Sequence, residues 1–328
     1  MAKLSDVGER QAIQVLAKIF DRGHPIGLGH DCGVVDWGED YLVITTDVVN
    51  PRTHIPPGTT PQQVGWYVTA VNLSDIAAAG ARPLGFVAAL SLPPATDVEY
   101  LKGLGQGMEE CAREFGIAIL GGDTKEADQV SIAGTAVGRV RKDRILLRKG
   151  ARPGDLVVVT GDLGRAGFAY RQLETAQLRS EALNMLLRPY PRILEGGFFS
   201  DSGMVTSCMD ISDGLGATLA QMASMTGLSY QVDWEALPLH RPVGTLPPAQ
   251  ARETALYSGG DYELLATVKP EGVETLLARY QDMRRGDRHR LTLIGKVGPP
   301  GPNVLVSAAG KEPLLGKGWE HFRPSHVS

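Results

Sequence analysis

Cysteine is scarce in this sequence, with three residues, Cys32, Cys111 and Cys208, scattered along 328 positions. They are too few for a disulfide framework, and they lack the CxxC spacing of a zinc site. Such a composition fits a reducing environment, so we expect a cytoplasmic protein.

A dominant charge is also missing, because 33 basic and 37 acidic residues give a net charge of −4. No segment carries the clustered positive charge of a nucleic-acid-binding surface. No apolar run reaches the roughly 18 residues that a membrane-spanning helix requires. Residues 1–20 form an amphipathic pattern with charges throughout, which is unlike a signal peptide. We therefore expect neither nucleic acid nor a membrane as partner.

The motifs of covalent hydrolases and zinc enzymes are absent too. The sequence contains no GxSxG, no HExxH, no Cys/His pairing and no GxxxxGK[ST] loop. Glycine, in contrast, is abundant, with 40 residues where a usual share of ~7% would give far fewer. Many glycines follow strand patterns or flank carboxylates, which indicates tight loops.

Strand-like and helix-like patterns alternate along the chain, which predicts an α/β or α+β fold. The length suits two domains of about 150 residues each. We place their boundary at the loop RKGARPGD, which gives domains of residues 1–147 and 148–328. One helix should begin at Thr60-Pro61 and end at Gly80, and another should open on a capping box formed by Thr96 and Glu99.

Aspartates with small neighbours recur along the chain. They are Asp31 in GHDC, Asp47 in TTDV, Asp75 in NLSD, Asp123 in GGDT, and Asp210 and Asp213 in DISDG. Several follow strand patterns, where α/β proteins build their sites. Oxygen ligands without His or Cys suit Mg²⁺, which usually accompanies phosphates. Each aspartate alone is equally well explained as a helix cap or turn residue.

Three further features have two interpretations each. Asn72 and Asp75 form a polar pair on an apolar helix face, as ligands or as partners of a buried hydrogen bond. The loop at 160–167 spaces glycines as a phosphate-binding turn would, although ordinary turns do the same. Arg148 suits phosphate recognition or a solvated linker.

Taken together, the motifs resemble the thiamine-monophosphate kinase family, which shares a superfamily with aminoimidazole ribonucleotide synthetase. The matching segments run in the family's order over residues 27–322, and VNLSDIAAAGARP and DISDGL are the most specific. The resemblance implies an N-terminal domain whose strands pair across a homodimer, and a C-terminal α/β domain. It also implies that ATP and several Mg²⁺ ions lie in the cleft between the domains.

The resemblance implies roles for individual residues as well. The metal ligands would be Asp31, Thr45, Thr46, Asp47, Asp75, Asp123 and Asp210. ATP would contact Gly121, Gly122, Asp123, Thr124, Arg148 and Ser212. Thiamine monophosphate would contact His54, Asp213 and Trp319. Catalysis would depend on Asp210, Asp213 and Arg148.

The implied reaction transfers phosphoryl in line from ATP to thiamine monophosphate, giving thiamine diphosphate. The attacking phosphate oxygen, with a second pKa of about 6, is already ionised at neutral pH, so no general base is required. A carboxylate-rich, histidine-poor site suits such chemistry.

The chain departs from the family pattern at His30, Glu126 and Thr218, and its segment Gly259–Leu264 has one acidic residue fewer. These departures leave two alternatives open. One is a different ATP-dependent kinase or synthetase of the superfamily, which would activate a carboxylate or amide oxygen. The other is a paralogue that binds nucleotide without turnover.

Overall fold

A computed structural model of the chain describes residues 3–20, 26, 28–173, 175, 178–284 and 290–322. The helices in this part are α1 (Leu4–Phe20), α2 (Pro61–Ala78), α3 (Val98–Glu114), α4 (Arg165–Gln172), α5 (Arg179–Leu187), α6 (Ile193–Ser202), α7 (Leu215–Thr226), α8 (Pro248–Tyr257) and α9 (Val273–Met283). None of these described helices combines the length and apolar content needed to cross a bilayer.

The strands form two sheets. Those of the first sheet are β1 (Gly33–Trp37), β2 (Asp40–Val49), β3 (Arg82–Leu92), β4 (Ile119–Glu126) and β5 (Ser131–Arg141). Those of the second are β6 (Leu156–Thr160), β7 (Val205–Ile211), β8 (Ser229–Asp233), β9 (Glu263–Val268), β10 (Leu291–Gly298), β11 (Val304–Ser307) and β12 (Gly310–Pro313). The mixed α/β fold predicted from the alternating patterns is confirmed.

The first sheet has the strand order β1-β2-β5-β3-β4 and is antiparallel except for the β3–β4 pair. Side chains on its strands alternate between buried and exposed, because successive residues of a strand face opposite sides. On β2, Val43 and Val49 are buried whereas Ile44 and Val48 are exposed. One face of the sheet therefore belongs to the core, and the other presents apolar side chains to solvent.

Helix α2 covers the buried face of the first sheet. As predicted, it begins after Thr60, whose hydroxyl accepts the Gln63 N–H while the Gln63 side chain accepts the Thr60 N–H. The chain leaves the helix at Gly80, whose φ of 67° is strained for other residues. Helix α2 is buried along nearly its whole length, and it also contacts α3, α6 and strand β7 of the second sheet.

The predicted start of α3 is wrong by one residue. Asp97, rather than Thr96, caps the helix, and its carboxylate accepts the Glu99 N–H at 2.8 Å. An ionised carboxylate is a strong acceptor for the free N–H groups of a first helical turn, so the helix begins at Val98.

The second sheet has the order β12-β11-β8-β10-β6-β9-β7. Its inner strands β6 and β9 are almost entirely buried, which explains their mostly apolar sequences LVVVT and ELLATV. Strand β7 lies at one edge, where it contacts α2 and leads through the loop Ser212–Gly214 into α7. The two sheets thus meet at α2, and the DISDG motif lies at that junction.

The close packing of α2 on α3 depends on glycine. A Cβ at Gly107 would lie 1.9 Å from the carbonyl oxygen of Gln62, whereas a Cβ at Gly105, on the exposed face of α3, would meet nothing within 4 Å. Gly107→Ala should lower the free energy of unfolding by roughly 1–3 kcal/mol, because the helices must separate. Gly105→Ala should raise it by about 0.5–1 kcal/mol, because alanine favours the helix.

Urea denaturation followed by circular dichroism of the two variants and the wild type checks this pair. Equal changes in the free energy of unfolding for Gly107→Ala and Gly105→Ala would contradict the close approach of α2 and α3.

Candidate active site

Three carboxylates from distant parts of the chain converge between the sheets. Asp31 precedes β1, Asp75 lies on α2 and Asp210 lies on β7, and each offers a ligand oxygen within 4.8 Å of the others. The Asp31 side chain is 3% exposed and Asp210 is 2% exposed. Like charges at such separations repel strongly unless a proton or cation compensates them.

Neighbouring hydroxyl groups fix two of these carboxylates. The Ser74 hydroxyl donates to Oδ2 of Asp210 at 2.7 Å, and the Thr45 hydroxyl donates to Oδ2 of Asp75 at 2.5 Å. Ser74 and Asp75 are adjacent on α2, so this helix both contributes one carboxylate and orients another. The hydroxyl groups bond to one oxygen of Asp75 and one of Asp210, which leaves the second oxygen of each available to a cation.

The electrostatics of the cluster favour a bound cation. Burial, followed by the Asp31 charge, raises the pKa of Asp210 from its ordinary 3.8 to about 7. Burial also raises the pKa of Asp75 far above its usual range, and the charges of Asp47, Asp210 and Asp31 raise it further. Oxygen donors of this kind fit a hard divalent cation such as Mg²⁺, which would remove the repulsion.

Arg148 closes one side of the cluster. Its Nη2 and Nε donate to Oδ1 of Asp31 at 2.8 and 3.1 Å, and its Nη1 donates to Gln221 Oε1 at 3.1 Å. Burial alone would lower the pKa of Arg148, but the charge and hydrogen bonds of Asp31 outweigh burial and raise it. The guanidinium is therefore a fixed cation at the site rather than part of a solvated linker.

Asp213 lies on the loop between β7 and α7. Helix α7 begins after Gly214, and no described side chain caps it, so the capping interpretation of Asp213 finds no support. Burial, followed by the charge of Glu9, raises the pKa of Asp213 to about 6. The Arg10 guanidinium lies 4.0 Å from Oδ2 of Asp213. The backbone carbonyl oxygen of Asp213 accepts the Trp319 N–H at 3.0 Å.

Aromatic side chains lie beside Asp213. The His321 ring contacts the rings of both His54 and Trp319, with centroid distances of 5.6 and 5.7 Å. Tyr67 lies 6.2 Å from His54, and its hydroxyl is 2.8 Å from that of Tyr262. Burial, with the nearby His321, lowers the pKa of His54 to about 4, so its ring is neutral at pH 7. We call these five residues the aromatic group.

The predicted ATP-binding residues of β4 lie apart from the carboxylate cluster. Strand β4 is an edge strand, and Gly121, Gly122, Asp123 and Thr124 are exposed. Asp123 Oδ1 accepts the Thr124 N–H at 2.9 Å and lies 3.3 Å from Lys125 Nζ.

The pairing of the strands nevertheless aligns β4 with Asp47 on β2. Gly122 pairs with Ala88, Ala88 with Gly134, and Gly134 with Asp47, so all four lie in one row across the sheet. At about 4.8 Å per strand, Gly122 and Asp47 are ~14 Å apart. ATP and metal binding by β4, and by Thr46 and Ser212, remain predictions.

The aspartates do not share a strand edge, contrary to expectation. Asp47 lies inside β2, Asp123 inside β4 and Asp75 inside α2. Most strands are antiparallel, so their carboxyl ends point in opposite directions. Tertiary packing, rather than a common edge, brings Asp75 to Asp210.

Two of the ambiguous features have structural explanations. The Asn72 side chain donates to the Val68 carbonyl oxygen at 2.8 Å and accepts the Asp47 N–H at 3.2 Å, so it is a buried hydrogen-bonding residue. In the glycine-rich loop at 160–167, the N–H groups of Gly164 and Ala166 donate to the carboxylate of Asp261 at 2.6 and 2.9 Å. The chain itself therefore occupies the position that a phosphate would take.

Two departures from the family pattern, His30 and Thr218, adjoin the carboxylate cluster, and a third, Glu126, lies apart from it. His30 Nδ1 accepts the backbone N–H of Arg148 at 3.2 Å, and burial lowers the pKa of His30 to about 4 despite the Asp31 charge. Thr218 is fully buried, and its hydroxyl donates to the Asp210 carbonyl oxygen at 3.4 Å. Glu126 is exposed at the end of β4.

Several residues of the site were not predicted from the sequence. Ser74 gave a signal, since it precedes Asp75 in the NLSD motif. Tyr67 gave none, because aromatic residues in apolar stretches usually fill cores. Tyr262 lies within the segment Gly259–Leu264, whose resemblance to the family was the available signal. Glu9 lies in an N-terminal pattern far from every motif, and only the fold brings its charge near Asp47 and Asp213.

Comparison with known proteins defines the class. Residues 29–140 match the model of the AIR synthase related protein N-terminal domain, and residues 152–305 match that of the C-terminal domain. The chain is 33% identical to a thiamine-monophosphate kinase of Pyrococcus horikoshii over 322 residues, covering 98% of both chains. It superposes on AaThiL complexed with AMPPCP and TMP with a TM-score of 0.84 and 28% identity, covering 98% of this chain and 99% of that one.

A structure of tt0281 from Thermus thermophilus is 31% identical, with a TM-score of 0.80, and covers 92% of this chain and 98% of that one. Fold and site thus define a two-domain protein of the AIR synthase related class. Within that class, the chain belongs to the thiamine-monophosphate kinase family.

The carboxylate repulsion gives a testable pH dependence. Because the folded-state pKa of Asp210 is raised, its contribution to stability is present at low pH and is lost as pH rises from 3.8 through about 7. Asn cannot ionise but still accepts the Ser74 hydrogen bond. Asp210→Asn should therefore raise the melting temperature of the metal-free protein by several degrees at about pH 8, and by less at about pH 5.

Differential scanning fluorimetry in EDTA measures this difference, and the exposed Asp201→Asn is the control. Adding Mg²⁺ should stabilise the wild type more than Asp210→Asn. Parallel melting curves for wild type and variant at both pH values would contradict the repulsion.

Proposed function

We propose that this protein transfers the terminal phosphoryl group of ATP to thiamine monophosphate, with Mg²⁺. The observation that carries the proposal is a buried cluster of Asp31, Asp75 and Asp210 beside a fixed arginine and an aromatic group. The P. horikoshii relative bears the name of this activity, and AaThiL was solved with AMPPCP and TMP.

The residues have distinct roles in the proposed reaction. Asp31, Asp75 and Asp210, with Asp47 nearby, would hold Mg²⁺, which when bound neutralises phosphate charge. Arg148 offers a fixed cation to the phosphoryl group, which carries negative charge in the transition state. No side chain is needed as a base, because the acceptor phosphate is already ionised at neutral pH. The His54 ring, whose pKa is lowered to about 4, is neutral at pH 7 and adds no charge to the site.

The aromatic group suits the acceptor. The thiazolium ring of thiamine is a permanent cation, and aromatic faces attract cations. Trp319 and His54 are half-buried and offer such faces beside Asp213, whose carboxylate adds negative charge, while Tyr67 supports His54 from the core. A phosphate on the same molecule would then point toward the carboxylate cluster and its metal ions.

Trp319→Ala tests this assignment. Loss of a cation–π contact of about 1–2 kcal/mol should raise the KM for thiamine monophosphate roughly tenfold and leave the KM for ATP nearly unchanged. The measurement is thiamine diphosphate formation by chromatography with Mg²⁺-ATP, and Val98→Ala, on the exposed surface of α3, is the control.

A wild-type protein that binds ATP but forms no thiamine diphosphate would contradict the proposed function. ADP release with a carboxylate or amide acceptor would then identify the other superfamily chemistry. Nucleotide binding without any turnover would identify the protein as a non-catalytic, nucleotide-binding paralogue.

Assembly and location are part of the proposal. All three cysteines are buried free thiols, which supports a cytoplasmic location. The matched intervals 29–140 and 152–305 support a domain boundary at residues 147–148. On the outer face of the first sheet, Ile44, Val48 and Leu120 are exposed by 39, 51 and 64%. A contiguous apolar face of this kind suits pairing with a second copy.

Ile44→Asp together with Val48→Asp should convert a dimer into a 35.1 kDa monomer, because two charges would be buried in the interface. Light scattering coupled to gel filtration measures the mass. Val98→Asp, on the exposed surface of α3, is the control. A wild-type protein that elutes as a monomer would contradict the proposed dimer.

A further inference from the structure

We infer that Glu9 is a positioning residue for acceptor binding, and that it holds the segment Gly318–Phe322 against the aromatic group. This inference rests on the proposed function for its substrate, but its structural part stands separately. We call Gly318–Phe322 the tail segment.

Apolar packing against the rest of the chain does little to hold α1 in place. Within α1, all of whose residues are described, Gly8 alone is buried. Its larger apolar residues Ile13, Leu16 and Phe20 are 50, 48 and 54% exposed. Apolar packing within the chain thus contributes little to the position of this helix, and its polar contacts become decisive.

Those polar contacts form a reciprocal pair with the tail segment. Glu9 Oε2 accepts the backbone N–H of His321 at 3.2 Å, and Glu320 Oε1 accepts the backbone N–H of Arg10 at 3.4 Å. Each element thus contributes a carboxylate to an amide of the other. The Arg10 guanidinium, 4.0 Å from Asp213, adds a contact to the loop that carries DISDG.

The backbone at Gly8 places Glu9 for this contact. Gly8 has φ 78° and ψ 174°, which interrupts the helix between Val7 and Glu9. This region of conformational space is essentially restricted to glycine. A regular helix through residue 8 would turn the Glu9 side chain and the Arg10 N–H in other directions.

The tail segment in turn shapes the acceptor side of the site. The Trp319 N–H donates to the carbonyl oxygen of Asp213, and a Cβ at Gly318 would lie 2.3 Å from the same oxygen. The His321 ring packs against both His54 and Trp319. Fixing the backbone of His321 therefore fixes the aromatic faces that would meet the thiazolium ring.

Glu9 also brings negative charge near Asp47 and Asp213, whose pKa values it helps to raise. Its effect could thus arise from its charge or from its hydrogen bond. Glu9→Gln separates the effect of the charge from the effect of the hydrogen bond, because glutamine keeps the accepting oxygen and loses the charge.

The experiment compares Glu9→Ala, Glu9→Gln and the control Gln11→Ala, which alters an exposed position of the same helix. Glu9→Ala should raise the KM for thiamine monophosphate about tenfold, since a hydrogen bond to a charged group is lost. The KM for ATP should stay within about twofold, and Glu9→Gln should recover most of the loss. Gly8→Ala should reproduce Glu9→Ala, because its backbone is strained.

Hydrogen–deuterium exchange without substrates gives a second readout. Peptides that contain the tail segment should exchange faster in Glu9→Ala than in the wild type or in Gln11→Ala. An inactive wild type with this difference would refute the proposed function and support the contact. Unchanged exchange in Glu9→Ala, or a Glu9→Gln variant with a KM as high as that of Glu9→Ala, would overturn the inference.

Discussion

The repulsion among Asp31, Asp75 and Asp210 is the constraint on which the rest of this structure depends. Three carboxylates with ligand oxygens within 4.8 Å are held in an environment that raises the pKa values of two of them. Such an arrangement costs folding free energy at neutral pH unless a cation binds. A fold without a function for the charges would gain from replacing them, so the cluster points to chemistry with cations and phosphates.

Helix α2 makes this arrangement possible. It is almost completely buried between the first sheet and α3, so its position is set by close packing over its whole length. Ser74 and Asp75 project from it toward β7, and Asn72 accepts the N–H of Asp47 on β2. A rigid element thus relates carboxylates of both sheets, and an adjustable loop would not hold them against their repulsion.

The two sides of the site differ in how firmly they are built. The metal side consists of Asp31, which precedes β1, and of groups on α2, β2 and β7 that are anchored in the cores. The acceptor side includes the tail segment, which joins α1 through single hydrogen bonds between half-buried residues. Weakly held elements are the ones that open most readily for a ligand. The acceptor side is therefore less firmly held than the metal side.

The sequence by itself determined the type of fold, the position of α2 and the chemical character of the site. Alternating strand and helix patterns, the Thr60 capping box and the aspartate motifs are local properties, and local interactions produce them. The resemblance to a kinase family also rested on short motifs. The N-cap of α3 was predicted at Thr96 but lies at Asp97, because the Asp97 carboxylate is a competing acceptor one residue away.

Tertiary structure alone decided which carboxylates meet. Asp31, Asp75 and Asp210 come together because α2 packs against both sheets, whereas Asp123 lies on an exposed edge strand with Lys125. It also decided that Asp261 fills the glycine-rich loop and that Glu9 reaches the tail segment. Contacts between residues so distant in the chain depend on how whole elements pack, and no local pattern encodes that packing.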